Sequence, residues 1–345
     1  MYRHLLNRKK WLILIVLASS LVGCGQEQEF VRGENVPDDW PKELVIGLFG
    51  GDDANEVMER NELVIEHLQN RLGIPVKSYI GSHYSGVIEA MRAGRAHAMT
   101  VGAFAYILAV KEAGAEALAI TRSDAQEYSQ YEGNNDFSYF SAIVTRKGSG
   151  IRTLEDLRGK DFNFVDPAST SGHLAPRSLL LKHGIDPDKD LNVFFAGSHP
   201  TSILTVKEGR SDAGASMLAY LYRMQSEGLI DFCGFTEGQV ASPEIVQANY
   251  DNCPDGHIAI VALTDPIPRT PFSVRSDLPD SLKKALKSAL MEVKDMPELR
   301  EGRSRWVYYI DPVEELGLKN LDEYYNPLRE MAKLLELDLH ELAAN

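Results

Sequence analysis

Between the apolar pair Phe164-Val165 and Leu174 stand Asp166-Pro167-Ala168-Ser169-Thr170-Ser171-Gly172-His173. Three consecutive hydroxyls and a glycine, set after a strand-like run and before a helix-like one, gather O–H donors and free backbone N–H groups at the positive end of a helix dipole. Such a turn is suited to hold an anion. Pro176 leaves the first helical residue open, but the N–H groups upstream of it are exposed in either register. The Gly-Lys-Ser/Thr ending of a phosphate-binding Walker loop is missing, as is the GxGxxG of a dinucleotide site. A hydrolase triad of Ser169, His199 and Asp212 is the enzymatic rival, yet no GxSxG elbow accompanies it. A serine inside a run of hydroxyls at a helix start is better explained as an oxyanion donor than as a nucleophile, so no enzyme activity, cofactor or metal is expected.

The elements that must position this turn alternate strand and helix, the pattern of an α/β protein. Expected are strands at Leu44 to Phe49, Pro75 to Ile80 and Ala96 to Val101, with helices at Asn55 to Leu72 and Ser85 to Ala93. The long helix rests on Val57, Ile65, Leu68 and Leu72, with Gly73 placed to cap it. A second run repeats the plan: strands Asp161 to Val165, Leu191 to Ala196 and Ser211 to Ala215, helices Leu174 to His183 and Thr201 to Glu208. A shift of 115 residues carries Gly94-Arg95-x-x-Ala98 onto Gly209-Arg210-x-x-Ala213 without a gap. The same shift puts Val45 to Phe49 on Lys160 to Phe164, Tyr84 on His199, and Asp53-Ala54-Asn55 on Ala168-Ser169-Thr170. Ligands of α/β lobes bind beyond the carboxyl ends of the strands. Two facing lobes would therefore aim Tyr84 and His199 into one cleft, with Asn55 a further candidate. A purely capping role for Tyr84 and His199 stands beside that reading.

These residues resemble the periplasmic phosphonate-binding proteins of ABC importers and their phosphite and phosphate-like relatives. The resemblance spans roughly residues 44 to 300 and is carried by Asp166-Pro167-Ala168-Ser169-Thr170-Ser171-Gly172, His83-Tyr84-Ser85-Gly86-Val87-Ile88-Glu89-Ala90-Met91, Ser138-Tyr139-Phe140-Ser141 and Ala196-Gly197-Ser198-His199. It implies a two-lobe, type II periplasmic binding fold with the ligand in a cleft between lobes, and a phosphorus oxyanion held by Tyr84, Tyr139, Ser169, Thr170, Ser171 and His199. It also implies an ABC importer permease as partner for a monomeric binding protein. One departure stands out. Many members have Ile-Pro-x-Asp-Pro at the return crossover, with the carboxylate facing the ligand, whereas here the stretch is Ile267-Pro268-Arg269-Thr270-Pro271. Thr270 is thus a possible ligand contact, and a ligand with a cationic tail is disfavoured. A lipoprotein sensor that binds the same ligand is the alternative to transport.

The amino terminus places the chain outside the cytoplasm. Arg3, Arg8, Lys9 and Lys10 precede the apolar stretch Trp11 to Ala18 and then Leu21-Val22-Gly23-Cys24, a signal peptide with a lipidation site at Cys24. Residues 24–43 are polar without period and read as a tether. Lobe one is expected over 44–143 and 265–345, lobe two over 144–264, with the hinge near Thr145 and Thr264. The chain carries 36 Lys+Arg against 50 Asp+Glu, a net charge of −14, and the mature protein is more acidic still once the signal is removed. That argues against nucleic acid as a partner and leaves an anionic ligand to local donors. Besides Cys24 there are only Cys233 and Cys253, which in an exported chain suggest one disulfide across a Gly-, Ser-, Pro- and Asn-rich loop.

Overall fold

Each lobe grows from a sheet whose three parallel strands are joined by helical crossovers. The computed structural model describes residues 32–49, 51–122, 137–236, Gln239, 241–296 and 308–335. In order these form β1 (Leu44–Leu48), α1 (Ala54–Leu72), β2 (Val76–Ile80), α2 (Tyr84–Arg92), β3 (Ala98–Thr100), α3 (Ala103–Ala113) and β4 (Ala115–Arg122). The chain then runs through β5 (Ser138–Tyr139), β6 (Ser141–Arg146), β7 (Asp161–Phe164), α4 (Ala175–Lys182), α5 (Pro187–Asp190), β8 (Asn192–Phe195), α6 (His199–Lys207) and β9 (Ala213–Met217). It continues with α7 (Leu218–Ser226), β10 (Phe232–Cys233), α8 (Pro243–Asn252), β11 (Ile258–Leu263) and β12 (Ile267–Pro268). The last elements are β13 (Pro271–Arg275), α9 (Asp280–Glu292), β14 (Tyr308–Ile310) and α10 (Asn326–Leu334).

Among the described residues the first sheet has the order β14-β4-β13-β3-β1-β2 and the second β10-β11-β6-β9-β7-β8. In both, the middle strand of the parallel trio is the first in sequence: β1 between β2 and β3, β7 between β8 and β9. The strand next in each sheet is antiparallel and arrives by a crossover, β13 beside β3 and β6 beside β9. The internal repeat read from the sequence is therefore a repeat of topology. It holds at single-residue resolution in the second helix of each unit, since α2 begins at Tyr84 and α6 at His199, and Gly94 and Gly209 both take φ near +70° (74° and 72°) just after the helix ends.

The long helix forms for reasons visible locally. Asp53 caps it by accepting from Asn55 N–H at 2.9 Å, and Gly73, at φ 66°, closes it. Its buried stripe is Val57, Val64, Leu68 and Leu72, so Ile65 sits at the margin and not in the seam. Two stretches differ from expectation. Residues 32–43 lie against the first lobe and are not a free tether: Gly33 N–H bonds Gly73 O at 3.0 Å, the Trp40 indole N–H bonds Ser281 Oγ at 2.8 Å, and Val36 and Trp40 pack on the core. Apolar side chains within a polar segment explain the docking. The segment between Cys233 and Cys253, read as a loop, contains α8, which Ser242 caps through Ile245 N–H. The two cysteines are disulfide-bonded and pack with Tyr250 and Ala259.

The chain crosses between lobes through a two-stranded antiparallel ribbon of β5 and β12, with Tyr139 opposite Ile267. Thr145 lies beyond it, inside β6 and paired with Ala213 and Ala259. Thr264 ties the second-lobe side of the crossover by accepting from Ser141 N–H at 3.1 Å.

Candidate functional site

The Ser-Thr-Ser turn is built from its own backbone outward. Asp166 starts it, accepting from Ala168 N–H at 2.8 Å through its side chain and from Ser169 N–H at 3.0 Å through its carbonyl. Ser169 then caps the helix start, its Oγ accepting from Gly172 N–H at 2.9 Å. Pro176 has no N–H for the carbonyl of Gly172, and that oxygen accepts from Val165 N–H at 2.9 Å, which ties the turn back to the strand. The first helical turn is correspondingly wide, with Leu174 N–H bonded to Ser169 O at 3.0 Å. The helix thus begins at Thr170, earlier than the expected Leu174. Thr170 and Ser171 occupy its first turn, and all three hydroxyl residues are buried.

Four further groups converge on this turn. Phe104 N–H, at the start of α3 in the first lobe, donates to Thr170 Oγ1 at 2.8 Å, which leaves the Thr170 proton to be donated onward. The Tyr139 phenol, from the crossover ribbon, lies beside Ser171 and Thr170, and the Tyr84 phenol beside Ser169. Burial pushes both phenols up, so both remain protonated donors. His199 completes the set. Its Nδ1 accepts from Met217 N–H at 3.1 Å, which puts the proton of the neutral ring on Nε2. Burial holds its pKa down at about 3, the nearby Asp52 charge opposing this only in part, so the ring is neutral.

The lobes meet through reciprocal contacts at the paired helix starts. His199 N–H donates to Gly51 O at 2.7 Å, and Tyr84, at the matching position of the other lobe, begins its helix within reach of the Asp166 charge. Gly51 has φ 70°, and a Cβ there would lie 2.8 Å from His199 Cδ2 and 3.4 Å from the Tyr84 hydroxyl oxygen. The glycine lets the first lobe's backbone reach the imidazole.

Five of the six expected ligand residues, Tyr84, Tyr139, Ser169, Thr170 and Ser171, are thus gathered at one place, and His199 meets Tyr84 at Gly51. Asn55 is not among them: it is exposed in the first turn of α1 with its N–H on the Asp53 cap. Thr270 is half-buried beside the ribbon, its carbonyl accepting from Thr121 N–H at 2.8 Å. Its neighbour Arg269, 7 % exposed, is the residue whose charge reaches Tyr139. Sequence reasoning missed Arg269, and it missed Asp52, Tyr220 and Arg223, which bridge the lobes beside His199. Asp52 does lie in the loop after β1, where the strand-end rule points, but an Asp-Asp pair ahead of a helix reads as capping, and Arg223 is 171 positions away.

The imagined hydrolase triad is not assembled. The Asp212 carboxylate accepts from Asp161 N–H at 3.0 Å, at the start of β7, while the turn lies past that strand's other end. A family model described as "ABC transporter, phosphonate, periplasmic substrate-binding protein" matches residues 46–314. The chain belongs to that family. Members of this phosphonate-binding family are importer binding proteins and not enzymes, and they act outside the cytoplasm. A curated relative, the phosphate-import protein PhnD of Mycolicibacterium smegmatis, is 28% identical over 207 residues, 58% of this chain. The match spans about three fifths (61%) of that relative's length. Among solved structures, PhnD1 of Prochlorococcus marinus in complex with methylphosphonate superposes with a TM-score of 0.65 at 18% identity, covering 86% of this chain and 99% of that one. The binding-protein component of a Pseudomonas aeruginosa ABC phosphonate transporter gives 0.61 at 20% identity, covering 88% and 97%. These similarities share the two-lobe fold. No helix among the described residues is long and apolar enough to cross a membrane.

Proposed function

We propose that this phosphonate-family protein captures a small phosphorus oxyanion, a phosphonate, phosphite or phosphate, and delivers it as a monomer to an ABC importer. The observation that carries the reading is the convergence of Ser169, Thr170, Ser171, Tyr84 and Tyr139 with the Nε2–H face of a neutral His199. Every one of these groups can donate, and none is a fixed cation. A compact, multiply accepting anion satisfies them together, with hydrogen bonds to a charged acceptor stronger than neutral ones. The bodies 44–143 with 265–345, and 144–264, close about the β5–β12 ribbon and bury the ligand between them.

Ligand choice follows from the return crossover. Thr270 supplies no carboxylate for an ammonium group, and Arg269 beside it disfavours one. Calorimetry is expected to rank phosphite, methylphosphonate or phosphate above aminoethylphosphonate, with sulfate as the control, and Thr270→Asp to narrow that gap by roughly 10-fold. A wild type that prefers the aminoalkyl ligand, or that binds none of the panel, overturns the reading.

Anchoring belongs to the same proposal. Cys24, behind Leu21-Val22-Gly23, is the lipidated first residue of the mature chain. Cys24→Ser is expected to move the protein from the membrane fraction to the soluble one. A variant that stays with salt-washed membranes sinks the anchor.

A further inference from the structure

The first lobe sends one buried carboxylate against the second. The Asp52 side chain is 1% exposed and accepts a bidentate pair from Arg223, Nη1 at 2.6 Å and Nη2 at 3.1 Å. The Tyr220 hydroxyl donates to the same carboxylate at 3.2 Å, Arg60 pairs with it from its own lobe, and Asp53 N–H donates at 3.0 Å. Burial alone would raise this carboxyl, but the Arg223 hydrogen bond and the Arg60 and Arg223 charges outweigh it and bring it down to about 2. It is ionised at neutral pH.

The partners of Asp52 lead to the proposed oxyanion donor. The Tyr220 ring stacks on His199, centroids 4.7 Å apart and planes within 18°, and the Arg223 guanidinium lies 4.5 Å from the same ring's centroid. Tyr220 and Arg223 therefore form one wall of the imidazole's slot, and both are held by a residue of the opposite lobe. The remaining wall contacts come from Met217 N–H, from Ser216 Oγ at 3.1 Å of Nδ1, and from Gly51. His199 is fixed on three sides, and the first lobe acts on two of them: Gly51 directly, and Asp52 by holding Arg223 and Tyr220, whose ring stacks on the imidazole from the histidine's own lobe.

We propose that Asp52 is a positioning residue that couples lobe closure to presentation of the His199 Nε2–H. It engages Tyr220 and Arg223 as the cleft shuts and so locks the imidazole in the orientation that donates to the ligand. A lobe-open protein keeps the Met217 bond and the Tyr220 ring but loses the clamp that holds that ring against the histidine. This role rests on the reading of the cleft as an oxyanion site.

The test is a double-mutant cycle on Asp52→Asn and His199→Ala, with inorganic phosphate and methylphosphonate as probes. Asp52→Asn alone is expected to raise Kd by 10- to 100-fold, carried by a faster off-rate, and Tyr220→Phe, which keeps the stack, by about 3-fold. In the His199→Ala background Asp52→Asn is expected to cost less than 3-fold. Additive effects would mean that Asp52 only holds the lobes together, and an unchanged Kd would mean that it only supports the loop; either overturns the proposal. Nitrogen NMR of His199 supplies a ligand-independent arm: Asp52→Asn is expected to perturb the fixed Nε2–H signal of the wild type, and an identical signal in the folded variant refutes the coupling. Should the wild type bind neither probe while the signal responds to Asp52→Asn, the ligand reading falls and the wiring from Asp52 to His199 stands.

Discussion

Thr170→Val weakens phosphorus-oxyanion binding by about 100-fold or more, while Thr170→Ser stays within a few-fold of the wild type. Valine keeps the shape and loses the hydroxyl. Two penalties then combine. The ligand loses a donor worth roughly 1.5 to 3 kcal/mol to a charged acceptor, and the Phe104 N–H that reaches Thr170 Oγ1 across the lobes at 2.8 Å is left without its acceptor, at roughly 1 to 3 kcal/mol. Serine retains both roles. Calorimetry on the two variants separates this account from one based on packing, under which valine, the closer match in shape, would be the milder change. An equal effect of both substitutions removes Thr170 from the site.

Gly172→Ala has the larger structural consequence. A Cβ at this position would lie 2.3 Å from Val165 Cβ and 2.7 Å from Ser169 Oγ, and Val165 is held to Gly172 by its own N–H bond at 2.9 Å. The strand and the turn cannot both stay in place. Overpacking of this kind costs roughly 1 to 3 kcal/mol, and any relief displaces Ser169, Thr170 and Ser171 together. The expected result is a lowered melting temperature and loss of detectable binding, read by thermal shift and calorimetry. A variant that melts lower yet binds normally would show that the turn is structural and that the ligand lies elsewhere.

How far the site could be read in advance depended on the range of the interactions. The Ser-Thr-Ser turn before a helix, the paired helix starts at Tyr84 and His199 and the strand–helix alternation of the two lobes were legible because each rests on local pattern: hydroxyls before a helix, glycine after one, and a constant shift between two copies. The docking of residues 32–43 was not, since it depends on Val36 and Trp40 finding a surface made by α1 and α9. Nor was the helix start at Thr170, which follows from the proline at 176 releasing a carbonyl to Val165. Asp52, Tyr220 and Arg223 were illegible for a different reason. An aspartate at a helix start and an Arg-Tyr pair on a helix are ordinary residues in sequence, and only the facing of two lobes gives them a common purpose.

The reciprocal contacts at the helix starts bear on how such a cleft can open. His199 N–H is held by the Gly51 carbonyl of the opposite lobe at 2.7 Å, and Phe104 N–H of that lobe by Thr170 Oγ1 at 2.8 Å, so each lobe is donor in one bond and acceptor in the other. If the lobes swing as rigid bodies about the ribbon, one motion stretches both bonds, because both span the same cleft. Opening is then cooperative: the intermediate angles lose both bonds and gain neither the full hydration of the open cleft nor the contacts of the shut one. The protein would sample two positions and not a continuum, and a transporter that must tell loaded from empty would be presented with a binary signal.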